Sequence, residues 1–381
     1  MIQQTQPLAL SGNRFAVHYR LTGDEASARA IAKVICLEQT VEFPEELVPA
    51  GPIRDNMLGR IESFASQGPD RFAVTISFPV EATGDDLCQL LNVVFGNISL
   101  KPNIRVENIS LSDTQLARFR GPRFGVEGLR TLTGVPTRPL LSTALKPMGL
   151  APVDLADLAY RFALGRIDLI KDDHGLTDQP FCRFEERVEQ CAAAVARANC
   201  ETGGRSIYMP NVTSSESEML RRAKLAKAIG AGGLLITPGL CGFDAMRAVA
   251  DCDEVALPIL AHPAFLGSFV TCPQLGMSHQ ALFGQIVRLA GADGTIFPNF
   301  GGRFSFSREE CCAIAAAAAD PMGALKPILP APAGGLAVSR VAELGQVYGR
   351  QMIILVGGGL FKHGPDLVEN CRAFRKLAEQ I

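Results

Sequence analysis

The chain has 381 residues, too many for one small domain and about right for a large α/β domain with a smaller companion. Its 37 basic and 39 acidic side chains leave a formal net charge of −2 with no basic block, which argues against nucleic acid and anionic membrane as partners and for a small polar or phosphorylated metabolite. At 47% hydrophobic it can bury a sizeable core, yet no apolar run is long enough to cross a bilayer, and MIQQTQPLALSGNRF lacks the charged start and apolar centre of a signal peptide, so a cytoplasmic protein is expected.

In chain order, FAVHYRLTG reads as a strand, EASARAIAKVICLEQT as a helix, DRFAVTISFPV as a strand, DDLCQLLNVVFG as a helix and IRVENISL as a strand. Residues 15 to about 110 are therefore expected to form a ferredoxin-like α+β domain with helices on one face of an antiparallel sheet. GPRFGVEGLRTLTGVPTRP, residues 121–139, is rich in Gly and Pro and reads as a linker, which sets an N-terminal domain with linker at 1–137 and a C-terminal domain at 138–381.

From Arg138 the pattern becomes regular. RPLLSTALK, RIDLIKDD, RSIYMPNVT, GGLLITPG, LPILAHPAF, GTIFPNF, KPILPAPAGG and MIILVGGGLF are eight apolar strands, with helix-periodic stretches such as PVDLADLAYRFAL, FEERVEQCAAAVARA and SEMLRRAKLAKAIGA between them. Apolar strands alternating with helices imply a parallel sheet covered by helices, and eight such units imply a closed (β/α)₈ TIM barrel. The alternative, an open doubly wound sheet, is weakened because no G-x-G-x-x-G follows the first strand. The 11 scattered cysteines, with Cys311 and Cys312 adjacent and no C-x-x-C, suit reduced core thiols better than a disulfide frame or structural zinc.

Chemistry in such barrels sits where strands end. The strand ends here offer Lys146, then Lys171, Asp173 and His174, then Asn211, His262, Asn299, the pair Gly334 and Gly335, and the run Gly357, Gly358 and Gly359. Each has a plain structural reading: a snorkelling lysine, a satisfied core histidine, a helix-capping asparagine, a glycine turn. Converging on one mouth, they would make an anion and metal site, with backbone N–H groups of the glycine loops expected to cradle a phosphate.

The stretch DLIKDDHG, residues 168–175, brings a lysine, aspartates and a histidine to the edge of an apolar run. It can be a solvated turn, a structural ion pair or a metal site. Residues two apart in a strand share a face, so Lys171 and Asp173 point the same way. Desolvation lowers a lysine's pKa and favours the neutral amine, which can take up CO₂ as a carbamate; beside Asp173 that anionic oxygen suits a hard cation such as Mg²⁺.

GRIDLIKDDHGLTDQPFCRFEER is similar to the metal-site signature of the large subunit of ribulose bisphosphate carboxylase (RuBisCO), and RPLLSTALKPMGL resembles its first barrel strand. VICLEQT, NVVFGN, MPNVT, ILAHPAF and LVGGGL match in order, so the resemblance spans roughly residues 15 to 365. It implies a carbamylated Lys171, Asp173 as a metal ligand, Lys146 as an acid/base lysine and His262 as a substrate contact. It also implies that Glu38 and Asn92 are lent to the partner's site in a homodimer, or in an assembly of such dimers. Asn92 lies one position off the family spacing before Phe95 and Gly96.

The departures bear on function. His174 stands where the family has a glutamate ligand, and Met148 stands near an absent lysine. Pro263 replaces an arginine, Ala333 a serine, and the sixth loop, FPNFGGRFSFS, offers no lysine, with Arg303 its nearest cation. The resemblance therefore implies a RuBisCO-like (form IV) enzyme that does not fix CO₂ on ribulose bisphosphate. Its expected substrate carries one phosphate, held by Gly334, Gly335, Gly357 and Gly358 with Arg303 nearby. The reaction expected first is decarboxylation, or transcarboxylation and hydrolysis, of 3-oxo-isoapionate 4-phosphate through an enediolate. The alternatives are an enolase or isomerase of a methylthio-sugar phosphate and a non-catalytic phosphosugar-binding protein.

Overall fold

The computed structural model describes residues 8–381, which divide into two compact units. The first holds the chain up to Phe119 together with Leu266–Gln285 and Met322–Ala324; the second holds Arg120–Phe265, Ile286–Pro321 and Leu325–Ile381.

The first unit is built on a five-stranded sheet. Strands β1 (Arg14–Thr22), β2 (Arg60–Ser66), β3 (Arg71–Pro79) and β4 (Ile104–Ser110) pair antiparallel, and the two-residue strand β10 (Gly276–Met277) adds to β4 in parallel, giving the order β10-β4-β1-β3-β2. The alternation read from the sequence is what folds it: Phe15, Val17, Tyr19 and Leu21 on β1 and Phe72, Val74, Ile76 and Phe78 on β3 are buried. Helices Glu25–Glu38 and Leu87–Phe95 turn Ala28, Ala32, Ile35, Leu87, Leu90 and Val94 inward, and Tyr19 donates its buried hydroxyl to the Val94 carbonyl at 2.8 Å. This is the expected ferredoxin-like α+β arrangement. β2 is an addition to the sequence reading: nearly every residue in it is exposed, so it carries no apolar alternation. Buried Arg105 on β4 donates to the Cys272 and Leu275 carbonyls at 2.7 and 3.0 Å, which ties the inserted segment to the sheet.

The second unit is the barrel. All eight expected strands are present: β5 (Leu140–Leu145), β6 (Leu169–Asp172), β7 (Ile207–Met209), β8 (Leu234–Ile236), β9 (Ile259–Ala261), β11 (Gly294–Pro298), β12 (Leu329–Ala333) and β13 (Ile353–Leu355). Parallel ladders join them as β13-β5-β6-β7 and β12-β11-β9-β8, and Asn211 bridges to Leu235 between the two sets. Every strand contributes to one buried cluster, including Leu140, Leu169, Met209, Leu235, Leu260, Ile296, Leu329 and Ile353, which is the filled interior of a closed barrel. The expected linker contains a helix, Gly125–Thr133, whose Val126 and Leu129 join the same cluster. Buried Asp293 fastens its start, accepting from the Phe124 and Gly125 N–H groups at 2.7 Å and from the Ile259 N–H at 2.9 Å.

Among the described residues no helix is long and apolar enough to cross a membrane.

Candidate active site

Strand alternation decides which side chains reach the barrel mouth. Leu169 of β6 lies in the interior cluster, so Lys171 and Asp173 share its face while Asp172 turns the other way, toward the helix layer. Asp172 is fully buried there. Its carboxylate accepts from Arg187 Nε at 3.1 Å, from the Tyr208 hydroxyl at 2.8 Å and from the Asn211 N–H at 3.0 Å. Arg187, on helix Phe184–Thr202, is equally buried and also donates to the Cys182 carbonyl at 3.1 Å. This pair on the outer face fixes the strand that presents Lys171 and Asp173 on the inner one.

Lys171 is 3% exposed, and its Nζ donates to the Asp172 carbonyl at 3.0 Å. Burial pulls its pKa down to about 8, with Asp173 opposing the shift and the Lys146 charge adding to it. Lys146, just past β5, places Nζ 2.6 Å from Asp173 Oδ1, and a methyl group placed on Gly357 would lie 3.9 Å from its Cε. One lysine therefore spans from β6 to the loop after β13. His174 sets Nδ1 3.4 Å from the same Asp173 oxygen. Burial would raise the Asp173 pKa, but hydrogen bonds from His174 and Lys146 and the two lysine charges outweigh it and hold the carboxylate well below its usual range.

The His174 ring lies flat on that of His262, centroids 4.2 Å apart and planes 11° from parallel. Burial first, then the Lys171 charge, push the His262 pKa well below its ordinary value. Its Nδ1 accepts the Ala264 N–H at 3.2 Å, so the ring is neutral with its proton on Nε2. Asn211 donates to the His174 and Leu176 carbonyls at 3.0 and 2.8 Å and so holds the loop that follows Asp173. Asn299 does not join this group: its Oδ1 accepts the Tyr348 hydroxyl at 2.6 Å and its Nδ2 donates to the Phe300 carbonyl.

Gly334 and Gly335 have φ of +90° and +94°, a region glycine tolerates and side chains resist. The Gly334 carbonyl accepts the Arg303 N–H at 3.3 Å, and a methyl on Gly335 would lie 3.7 Å from Arg303 Cγ, so Arg303 borders this loop. Its guanidinium stands 5.1 Å over the Phe304 ring. A methyl on Gly358 would meet nothing within 4 Å, which leaves the space above that loop open. Ala333 is buried in the interior cluster, and Met148 is half-exposed with its methyl group against Gly175, beside Asp173.

The two residues expected to serve a partner's site lie in the first unit. Asn92 directs its Nδ2 to Gln89 Oε1 at 3.3 Å, one turn back on its own helix, whereas Glu38 Oε1 accepts from Asn97 Nδ2 at 3.2 Å. The asparagine that meets Glu38 is the one immediately after Phe95 and Gly96, which the sequence reading passed over.

The donors at the mouth suit a divalent metal only as a set. Asp173 and His174 offer two, and among the described residues no three His, Cys, Asp or Glu side chains converge to hold an ion. A carbamate on the buried Lys171, whose pKa is pulled down to about 8, would supply a third donor, and with it Lys171, Asp173 and His174 would fit a cation.

A (β/α)₈ barrel whose mouth joins two lysines, a carboxylate and paired imidazoles has the build of a barrel enzyme. Residues 125–380 match the family described as the ribulose bisphosphate carboxylase large chain, catalytic domain. The chain belongs to that family and is a RuBisCO-like (form IV) protein. It is 40% identical over 361 residues to ribulose bisphosphate carboxylase-like protein 1 of Rhodopseudomonas palustris, covering 95% of this chain and 96% of that one. It is 39% identical over 363 residues to 5-methylthioribulose-1-phosphate isomerase of Rhodospirillum rubrum, covering 95% of each. The crystal structure of a RuBisCO-like protein from Rhodopseudomonas palustris superimposes with a TM-score of 0.88 at 37% identity, covering 96% of this chain and 98% of that one. These likenesses support an enzyme with a role other than carboxylation.

Proposed function

We propose that this protein is a metal-dependent enzyme that moves a proton beside the carbonyl of a monophosphorylated keto sugar, and that isomerisation or enolisation of a methylthio-sugar phosphate is the outcome its mouth favours. The observation that carries this is the asymmetry of the site. Glycine loops at 334–335 and 357–358, with Arg303 beside them, offer N–H groups and a cation to one phosphate. At the positions where the family would hold a second phosphate, Pro263, Ala333 and the half-exposed Met148 offer neither a charge nor a side-chain donor, so a second phosphate would be desolvated without a partner. An apolar end, such as the methylthio group named for the Rhodospirillum rubrum relative, suits Met148.

The protein's own groups divide the work as follows. Lys171, as a carbamate, with Asp173 and His174 would hold the cation, Mg²⁺ in the family reading, and that cation would supply the positive charge that polarises a carbonyl and steadies an enediolate. Lys146, anchored on Asp173 at 2.6 Å and more than a third exposed at the mouth, gives and takes the proton. His262, neutral and protonated on Nε2, donates a hydrogen bond to a substrate oxygen and carries no charge that would compete with the metal. Glu38 completes the mouth of a second copy's barrel in a homodimer, with Asn97, its hydrogen-bonded neighbour, beside it in place of Asn92.

Loss of CO₂ from 3-oxo-isoapionate 4-phosphate would reach the same kind of enediolate, but its carboxylate would face Met148 and Pro263 without a counter-charge. The deciding experiment incubates the protein with Mg²⁺, bicarbonate and either substrate in D₂O. Deuterium entering 5-methylthioribulose 1-phosphate with formation of an isomer supports the proposal. CO₂ release from the oxo acid with no exchange on the methylthio sugar would replace it with decarboxylation. Incorporation of labelled bicarbonate into ribulose bisphosphate would overturn both.

A further inference from the structure

We propose that His174 shifts this metal site away from Mg²⁺ and toward first-row transition-metal dications such as Co²⁺ and Mn²⁺; the inference rests on the metal-site reading above, not on the identity of the substrate. Three observations place the imidazole in the ligand set. His174 Nδ1 stands 3.4 Å from Asp173 Oδ1, so the imidazole and the carboxylate face the same space and would reach one cation together. The ring is held in its plane by the parallel His262 ring at 4.2 Å, and Asn211 pins the His174 carbonyl at 3.0 Å, so both the ring and its backbone are positioned without a metal. His262 cannot offer Nδ1 to the same ion, because the Ala264 N–H occupies it.

The consequence follows from donor chemistry. Mg²⁺ demands oxygen ligands in near-ideal octahedral geometry and gives up water reluctantly, whereas imidazole suits the borderline transition metals. With one carboxylate, one carbamate and one neutral nitrogen, the site also has one negative charge fewer than a set with glutamate at 174. That loss weakens a purely electrostatic ligand such as Mg²⁺ more than a metal that gains from covalent nitrogen coordination.

All sites of mixed donors prefer Co²⁺ to Mg²⁺ to some degree, so the diagnostic quantity is how far the ratio of dissociation constants moves when the nitrogen is removed. Calorimetric titrations of the full-length protein with MgCl₂ and with CoCl₂, in bicarbonate, are compared with the same titrations of His174→Glu, with Asp173→Ala locating the site. The expected result is a Mg²⁺-to-Co²⁺ ratio at least tenfold smaller in His174→Glu, mainly because Mg²⁺ binds more tightly. A visible Co²⁺ absorption band should also change in His174→Glu, and hyperfine coupling of bound Mn²⁺ to ¹⁵N-labelled histidine should be lost. An unchanged ratio and unchanged spectra would overturn the proposal while leaving the metal site intact. Absence of binding by either metal would overturn the metal-site reading with it. Metal binding with the expected preference, but no turnover of either substrate, would leave this inference standing and remove the proposed reaction.

Discussion

Arg187→Met tests the support beneath the site. The substitution keeps the length and packing of the side chain on helix Phe184–Thr202 but leaves the Asp172 carboxylate, fully buried, with only the Tyr208 hydroxyl and the Asn211 N–H as donors. Breaking a buried pair by removing one partner costs about 3–5 kcal/mol, because the remaining charge has no water to return to. The barrel unit has roughly 240 residues, and at about 2.1 cal/mol/K of unfolding entropy per residue its melting temperature should fall by about 6–10 °C. Adding Asp172→Asn removes the stranded charge while keeping an acceptor for Tyr208, so the double variant should recover at least half of the loss. Differential scanning calorimetry of the four proteins closes the cycle. If Arg187→Met melts within about 2 °C of the parent, or the double variant is no better than the single, the pair does not hold β6 in the way argued.

Lys171→Ala and Asp173→Ala should each lower kcat at least a thousandfold with a native circular-dichroism spectrum, and chelating divalent metal should do the same to the parent; full activity in any of these contradicts the metal site. Gly358→Val should raise KM for the phosphorylated substrate at least tenfold and leave its dephosphorylated analogue unchanged. The added side chain has room to sit there, so equal losses on both would mean the loop is only a turn. Because burial holds the Lys171 pKa at about 8 instead of its ordinary value, the neutral amine becomes available as pH rises through about 8. Uptake of ¹³CO₂ as a carbamate, followed by NMR, should therefore rise with a midpoint near there, and a midpoint above 10 would show the lysine to be unperturbed. The same depression predicts stability that rises between about 8 and the unperturbed lysine pKa, where the unfolded chain binds the extra proton.

The barrel was legible because each of its strands is buried on both faces and reads as an apolar run ending in a polar or glycine residue. The mouth was legible for the same reason, since Lys146, Lys171, Asp173 and His262 stand where those runs stop. Elements without that signature escaped. β2 exposes nearly every residue, and the helix Gly125–Thr133 is flanked by the glycines and prolines that mark a turn, although Val126, Leu129 and Thr133 are spaced to bury one face. Asn92 lies one position off the family spacing, and in helix Leu87–Phe95 its side chain turns to Gln89 while Asn97 meets Glu38. Likewise Asn299 looks like a mouth residue by position, and only the packing of Tyr348 against it shows which way it faces.

The opposed faces of β6 also let the strand check its own alignment. A shift of one residue would send Lys171 and Asp173 into the helix layer and Asp172 into the lumen. Slipped in the direction that puts Lys171 in Asp172's place, the strand would bury Arg187 opposite a lysine ammonium, two like charges without solvent, and Tyr208 would lose its acceptor. That misalignment is thus penalised at a contact in the helix layer, away from the mouth, and the correctly aligned strand is the one that turns Lys171 toward the mouth. A designer moving this cluster to another barrel would need to carry across Arg187 and Tyr208 along with Lys146, Lys171 and Asp173.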